Sequence, residues 1–235
     1  MLFAWSYFCL YLALQFAVGP EGEGRHWLTL VAIPLLGIAG LARWTGGAAG
    51  LGTALRGVGL SRDTWTVGLR WAVPLGLGLS ALQLVLSRNS AEFLALVTST
   101  RVLWVAPVTL VFLLLAAAST EEFFFRGILQ RKTEAWLGGG GAPVGRGAVF
   151  LSLLAASLAF AVYHLPYAYL SPNWPSHGDV GLAVQYAMVD GMLGGLVTGG
   201  VFIGARGNLI APILVHALID LFPAMTMIRF GGPGA

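Results

Sequence analysis

The chain has 235 residues, 57% hydrophobic and only 10% charged, with a net charge of +3 and a mean hydropathy of +0.80. A soluble domain of this size carries about a quarter charged residues, so these proportions exclude a water-soluble fold and make lipid the main solvent. The basic residues are scattered, which argues against a nucleic-acid partner, and the single cysteine, Cys9, excludes an intrachain disulfide framework. Lys132 is the only lysine among many arginines, and Gly and Ala abound, a composition that points to a prokaryotic plasma membrane.

A helix crossing ~30 Å of hydrocarbon needs about 20 mostly apolar residues. Seven stretches meet or approach this, the first being Leu2 to Val18. It has neither a basic leader nor an A-x-A cleavage site, so it is expected to be a retained span rather than a signal peptide. The second, Trp27 to Ala42, is short and contains Pro34. Arg43 to Arg70 is Gly-rich with spaced arginines and reads as a surface loop plus a short interfacial helix. Further spans are expected over Trp71 to Ser87, Val102 to Gln130, Ala148 to Pro166, Gly181 to Ile203 and Asn208 to Met227. Gly138 to Gly147 reads as a flexible loop, and Pro166 to Gly178 as an interfacial loop rich in Pro, Trp and Tyr. The expectation is an all-α, polytopic transmembrane helical bundle of about seven to eight helices. Its N-terminal transmembrane helices fall in residues 1–50 and one structural unit covers 51–225. An N-terminus on the cytoplasmic side puts nine of the 13 basic residues on the inner side, Arg126 among them, and four (Arg25, Arg88, Arg101, Arg229) outside, the sense of the positive-inside rule.

Ionisable residues inside spans each cost roughly 2.5–3.5 kcal/mol at a helix centre and therefore face the bundle interior. Here they are Glu121, Glu122, Arg126, His164, Asp190, His216 and Asp220. Glu122 and Arg126 are four apart and share a helix face, so they can pair. Glu121 projects about 100° away and stays outside that pair, free to act as a general base. The competing reading is a helix start at the interface, because Ser119 and Glu122 have the spacing of a capping box. His164, before Leu-Pro, has a structural alternative. His216 and Asp220 are again four apart, so a carboxylate can orient the imidazole, or the two can simply bridge helices. Asp190 lies among Gly191, Gly194, Gly195 and Gly199, where a hydrogen bond to a closely packed helix would account for it. Together these residues supply a base, donors and orienters on several spans.

Taken in order, Glu121-Glu122-Phe-Phe-Phe-Arg126, Phe160-Ala-Val-Tyr-His164 and His216-Ala-Leu-Ile-Asp220 resemble the EExxxR, FxxxH and HxxxN/D motifs of the CAAX protease and bacteriocin-processing (CPBP) family. That family includes the Ras-converting CAAX endopeptidase. The run from Gly204 to His216 and the segment Gly57 to Arg62 are similar to the flanks of these motifs, so the resemblance covers roughly Leu51 to Phe222. It implies an intramembrane endopeptidase domain over 51–225 acting on a peptide or membrane-protein substrate. In that scheme Glu121 activates water, Glu122 and Arg126 form a supporting pair, and His164 holds the water or the oxyanion. His216 acts with Asp220 in the oxyanion site. Asn is common at the last position; an ionised Asp220 cannot donate a hydrogen bond, so it is either protonated or a partner that orients His216. The resemblance implies either a site that requires no cofactor, the favoured reading, or zinc held by His164, His216 and Glu121 with an open position. No HExxH is present.

Two other functions fit the same residues. One is a non-catalytic immunity or scaffold protein of the same fold. The other is a proton-coupled transporter, which the lack of an evident inverted repeat disfavours. One geometric problem follows from the expected helix ends. Glu121 and His216 each lie about 15 Å from the inner end of their helices, but His164 lies about 27 Å from Arg146. The three meet only if the fifth helix starts well outside the membrane or tilts strongly.

Overall fold

The structure, a computed structural model, describes residues 2–18, 36–37, 39–40, 51–60, 65–86, 90–139, 144–172 and 174–227. These residues contain no strand and form eight helices. They are α1 (Leu2–Val18), α2 (Leu51–Gly57), α3 (Trp65–Leu86), α4 (Ser90–Val97), α5 (Val102–Leu137), α6 (Arg146–Leu170), α7 (Val180–Gly204) and α8 (Ile210–Met227). This is the expected all-α polytopic bundle. Four stretches, Gly68–Leu86, Val102–Leu137, Arg146–Leu170 and Val180–Gly204, are long and apolar enough to cross a membrane, and Ile210–Met225 is apolar but shorter. The expected span Trp27 to Ala42 falls almost wholly outside the described residues.

Several helix boundaries differ from the sequence expectation. α3 begins at Trp65, which puts Arg70 inside a helix rather than in a loop. α6 runs through Pro166 to Leu170; membrane helices tolerate a proline because neighbouring groups re-satisfy the freed backbone. α4 is an additional short helix before α5. Most important, α5 does not end at Gln130 but continues to Leu137. Arg131, Lys132 and Glu134 end the apolar stretch, yet such residues are good helix formers.

This extension resolves the problem of depth. With α5 ending at Leu137, Glu121 lies about 24 Å from the end of α5 and His164 about 27 Å from the start of α6. The two are therefore level. The α7–α8 turn sits closer in, because the Arg131 guanidinium donates to the Gly207 carbonyl at 3.1 Å. Arg131 also donates to the Gly57 carbonyl, fastening the end of α2 to the same point. The end of α5 and the start of α6 thus project past the turn that leads into α8.

Packing follows membrane rules, with small residues at helix contacts. α7 lies on α6 through Gly191 and Gly195. A Cβ added at Gly191 would meet Ala161 Cα at 2.8 Å, and one at Gly195 would meet Ser157 Cα at 3.0 Å. α3 packs along α8, where the Ser80 hydroxyl donates to the Leu218 carbonyl at 2.6 Å. α1 covers the other side of the bundle. Its Ala4, Phe8 and Tyr11 share a buried cluster with Phe124, Phe125, Phe160 and Tyr163. Large apolar side chains such as Leu77, Leu82, Val85, Leu103 and Leu115 face outward, as expected of a surface solvated by lipid.

Candidate active site

α5 carries Glu121 and Glu122 on a short α-helical stretch, Ala118–Glu122, between two π-helical ones, Leu113–Ala117 and Phe123–Gln130. π turns inside α-helices recur at functional sites. The capping-box alternative is not realised. The helix runs straight through this region, and the Ser119 hydroxyl donates to the Leu114 carbonyl rather than capping a first turn.

Glu122 is completely buried and accepts from Arg126 Nε at 3.1 Å, the pairing expected from their spacing. Arg126 is also completely buried. Its NH2 group donates to Thr198 Oγ1 on α7 at 3.0 Å, and the guanidinium lies 5.4 Å from the centre of the Phe160 ring. The second oxygen of Glu122 meets His216 Nδ1 at 2.8 Å, a contact across 94 residues of sequence.

His216 fills the angle between the two adjacent glutamates. While its Nδ1 faces Glu122, its Nε2 lies 3.1 Å from Asp220 Oδ2 and 3.7 Å from Glu121 Oε2. The Asp220 carboxyl is thus within hydrogen-bond distance of His216 Nε2, as either of the roles expected for it, protonated group or orienting partner, would have it.

His164 approaches from α6. Its Nδ1 donates to the Phe160 carbonyl at 2.8 Å, which orients the ring and leaves Nε2 facing the site. That nitrogen lies 4.0 Å from Glu121 Oε2. The four-residue spacing of Phe160 and His164 thus has a physical reason: the backbone of the first orients the ring of the second. The Phe160 ring also packs edge-on against His164 and His216, with centroids 4.5 and 5.8 Å away.

Glu121 stays outside the Glu122–Arg126 pair. Its Oε1 accepts from the Tyr163 hydroxyl at 3.2 Å, and its Oε2 faces both imidazoles. Side-chain exposure grades from 0% at Glu122 through 16% at Glu121 to 31% at His164 and 41% at Asp220. The site therefore opens on the side of His164 and Asp220, with Glu121 at its inner wall.

Glu121, Glu122, Arg126, His164, His216 and Asp220 are thus brought into one connected cluster. Asp190 is not bonded into it. It is exposed on a π-helical stretch of α7, Ala187–Met192, within electrostatic reach of His164. The close glycine packing expected around it occurs, but its side chain makes no hydrogen bond among the described residues. Sequence reasoning missed Tyr163 and Thr198. Tyr163 had a usable signal, since a hydroxyl within a span at the position before His164 shares a face with Phe160. Thr198, within a run of glycines, had none.

The donor set does not fit a zinc ion as arranged. No group of three or more His, Cys, Asp or Glu side chains among the described residues is placed to hold a metal. Of the three expected zinc ligands, His216 engages Glu122 through Nδ1 and Asp220 through Nε2, and Glu121 Oε2 stands 3.7 and 4.0 Å from the Nε2 atoms of His216 and His164.

Fold and site together define a polytopic helical membrane protein with a carboxylate, imidazole and guanidinium cluster inside its bundle. The family model described as type II CAAX prenyl endopeptidase Rce1-like matches residues 102–222, just over half of the chain, and the chain belongs to this family. The match runs from the first residue of α5 into α8 and contains all six clustered residues. No curated protein and no solved structure matches the chain.

Proposed function

We propose that the protein is an intramembrane endopeptidase that hydrolyses a bond in a peptide or membrane-protein substrate, with Glu121 activating the attacking water and no metal required. The observation that carries this is the state of Glu121. One oxygen is engaged by Tyr163, and the other is directed at two imidazoles 3.7 and 4.0 Å away, at the inner wall of a site that opens beside His164 and Asp220. The 4.0 Å gap to His164 Nε2 is too long for a direct hydrogen bond, and it suits a water held by both groups.

In this reading Glu121 Oε2 takes a proton from the water as its oxygen attacks the scissile carbonyl carbon. His164 Nε2 accepts the second water proton in a hydrogen bond and orients the nucleophile. Charge developing on the carbonyl oxygen is met by the Nε2 proton of His216, which shifts from Asp220 toward the oxyanion. Glu121 then returns its proton to the departing amide nitrogen. Arg126 does not touch the reacting atoms. It holds Glu122, and Glu122 holds the His216 ring. Residues 51–225 form the peptidase unit, the N-terminus lies on the cytoplasmic side of a prokaryotic plasma membrane, and cleavage occurs near that face. The surplus of basic residues in the loops assigned to that side supports this orientation.

The test is a proteomic comparison of cells expressing the wild type and Glu121→Gln, followed by cleavage of the enriched peptide by purified protein with and without a strong chelator. The expected result is a fragment present only with the wild type and formed at the same rate under chelation. Identical fragments from both proteins would overturn the peptidase reading. Activity lost on chelation and restored by zinc would overturn its metal-free form.

A further inference from the structure

The family match begins at α5, but the environment of Glu121 does not end there. On the side away from the imidazoles, Tyr163 Oη donates to Glu121 Oε1 at 3.2 Å, Tyr11 Oη lies 3.2 Å from Tyr163 Oη, and Gln15 Nε2 lies 2.9 Å from Tyr11 Oη. Tyr11 and Gln15 belong to α1, and both are buried, at 4% and 8% exposure. The two tyrosine rings are stacked, with centroids 5.4 Å apart and planes 18° from parallel. α1 is also fixed one helical turn or more away, where Trp5 Nε1 donates to Thr133 Oγ1 at 3.3 Å and Phe8 packs on Phe124 and Phe125. A small cavity next to Glu121 is walled by Tyr7 and Tyr11 of α1 together with Thr120, Phe124 and Tyr163.

We infer that α1 completes the catalytic apparatus, with Tyr11, backed by Gln15, acting through Tyr163 as a positioning residue that orients the Glu121 carboxylate. The inference rests on Glu121 being the base proposed above. The direction of the hydrogen-bond chain follows from its end. An ionised Glu121 can only accept, so Tyr163 must spend its one proton on it. The Tyr163 oxygen is then left to accept, so Tyr11 donates to it, and Tyr11 accepts in turn from the Gln15 amide N–H. Each bond polarises the next in a low-dielectric interior. The chain pins Oε1 and leaves Oε2 as the oxygen that receives the water proton. Without α1 the Tyr163 hydroxyl would keep its donor role but lose the hydrogen bond that Tyr11 donates to it.

The experiment compares Tyr11→Phe, Tyr163→Phe, the double variant and Glu121→Gln, all of which preserve side-chain shape. Two readouts are used. In peptide cleavage, Tyr163→Phe is expected to lower kcat about tenfold and Tyr11→Phe about threefold, the scale of a hydrogen bond to a charged group and its backing. KM stays near wild type, and thermal stability falls by several degrees at most in each single variant, because each leaves a buried partner without its hydrogen bond. The double variant is expected to be no slower than Tyr163→Phe, because the hydrogen bond from Tyr11 reaches Glu121 through Tyr163. In infrared spectroscopy, the wild type minus Glu121→Gln difference isolates the Glu121 carboxylate bands. These are expected to move in Tyr11→Phe although Tyr11 does not touch Glu121. Infrared bands that stay fixed in Tyr11→Phe, or kinetic losses that multiply in the double variant, would overturn the inference. A wild type that cleaves no peptide would count against the peptidase reading alone, because the infrared result still decides whether Tyr11 orders Glu121.

Discussion

Glu122→Gln tests whether the centre of the site is held by charge. The substitution keeps shape and can still accept from His216 Nδ1, now 2.8 Å away, but it removes the counter-charge 3.1 Å from Arg126 Nε. Both members of the pair are completely buried, so water cannot replace the lost partner. A unit charge pair about 4 Å apart at an effective dielectric of 20 is worth about 4 kcal/mol, and orphaning one member of a buried pair costs on the order of 3–5 kcal/mol. Arg126 keeps its bond to Thr198 at 3.0 Å, which favours the lower end, about 3 kcal/mol. For a chain of this length each kcal/mol shifts the midpoint by about 2–4 °C, so a fall on the order of 10 °C is expected in detergent. Adding Arg126→Met, which removes the orphaned cation at similar volume, should restore most of it. The assay is tryptophan-monitored thermal unfolding of the wild type, both single variants and the double. A Glu122→Gln protein as stable as the wild type, or a double variant whose losses simply add, would refute the argument that the pair is an electrostatic unit.

The α6–α7 contact predicts that Gly191→Ala destabilises by about 1–3 kcal/mol through overpacking, because the new Cβ would meet Ala161 backbone at 2.8 Å. Gly194→Ala, whose Cβ would be 3.9 Å from Phe160, should be near neutral; equal thermal stabilities would remove the close-packing argument. Asp220→Asn should retain cleavage within a few-fold, since the amide oxygen can still accept from His216 Nε2 at 3.1 Å, whereas Asp220→Leu should lose about tenfold or more. Equal losses in the two would show that the charge of Asp220, rather than its accepting oxygen, is what matters. In a Cys9→Ser background, Val144→Cys and His177→Cys flank α6 and should be labelled by impermeant reagents from opposite sides of the membrane, Val144→Cys from the cytoplasm. Labelling from one side would remove α6 as a span.

Lipid solvation was legible from composition, because a chain with so few charges has nothing to present to water. So were the local pairs. Glu122 with Arg126 and His216 with Asp220 are four apart, and helix pitch alone puts such residues on one face. The same pitch separated Glu121 from the pair on its own helix. These statements need no knowledge of neighbouring helices.

Contacts between helices were not legible in the same way. Glu122 with His216, Arg126 with Thr198 and Tyr163 with Glu121 join residues distant in sequence, and they depend on how far each helix is rotated and how high it stands. Rotation is set by packing such as Gly191 on Ala161. Height is set by where helices end, and polarity marked the end of the α5 apolar span at Gln130 while the backbone kept its hydrogen bonds to Leu137. The contact of α1 with the site lay further out of reach. Nothing in the pattern of Tyr11 and Gln15 distinguishes two polar groups linked through Tyr163 to the Glu121 carboxylate from two facing an interface. Periodicity determined the face each residue occupies on its own helix, because that is fixed by covalent geometry and local hydrogen bonds. The tertiary structure alone decided which faces meet and at what depth, because that is settled by close packing between segments far apart in the chain.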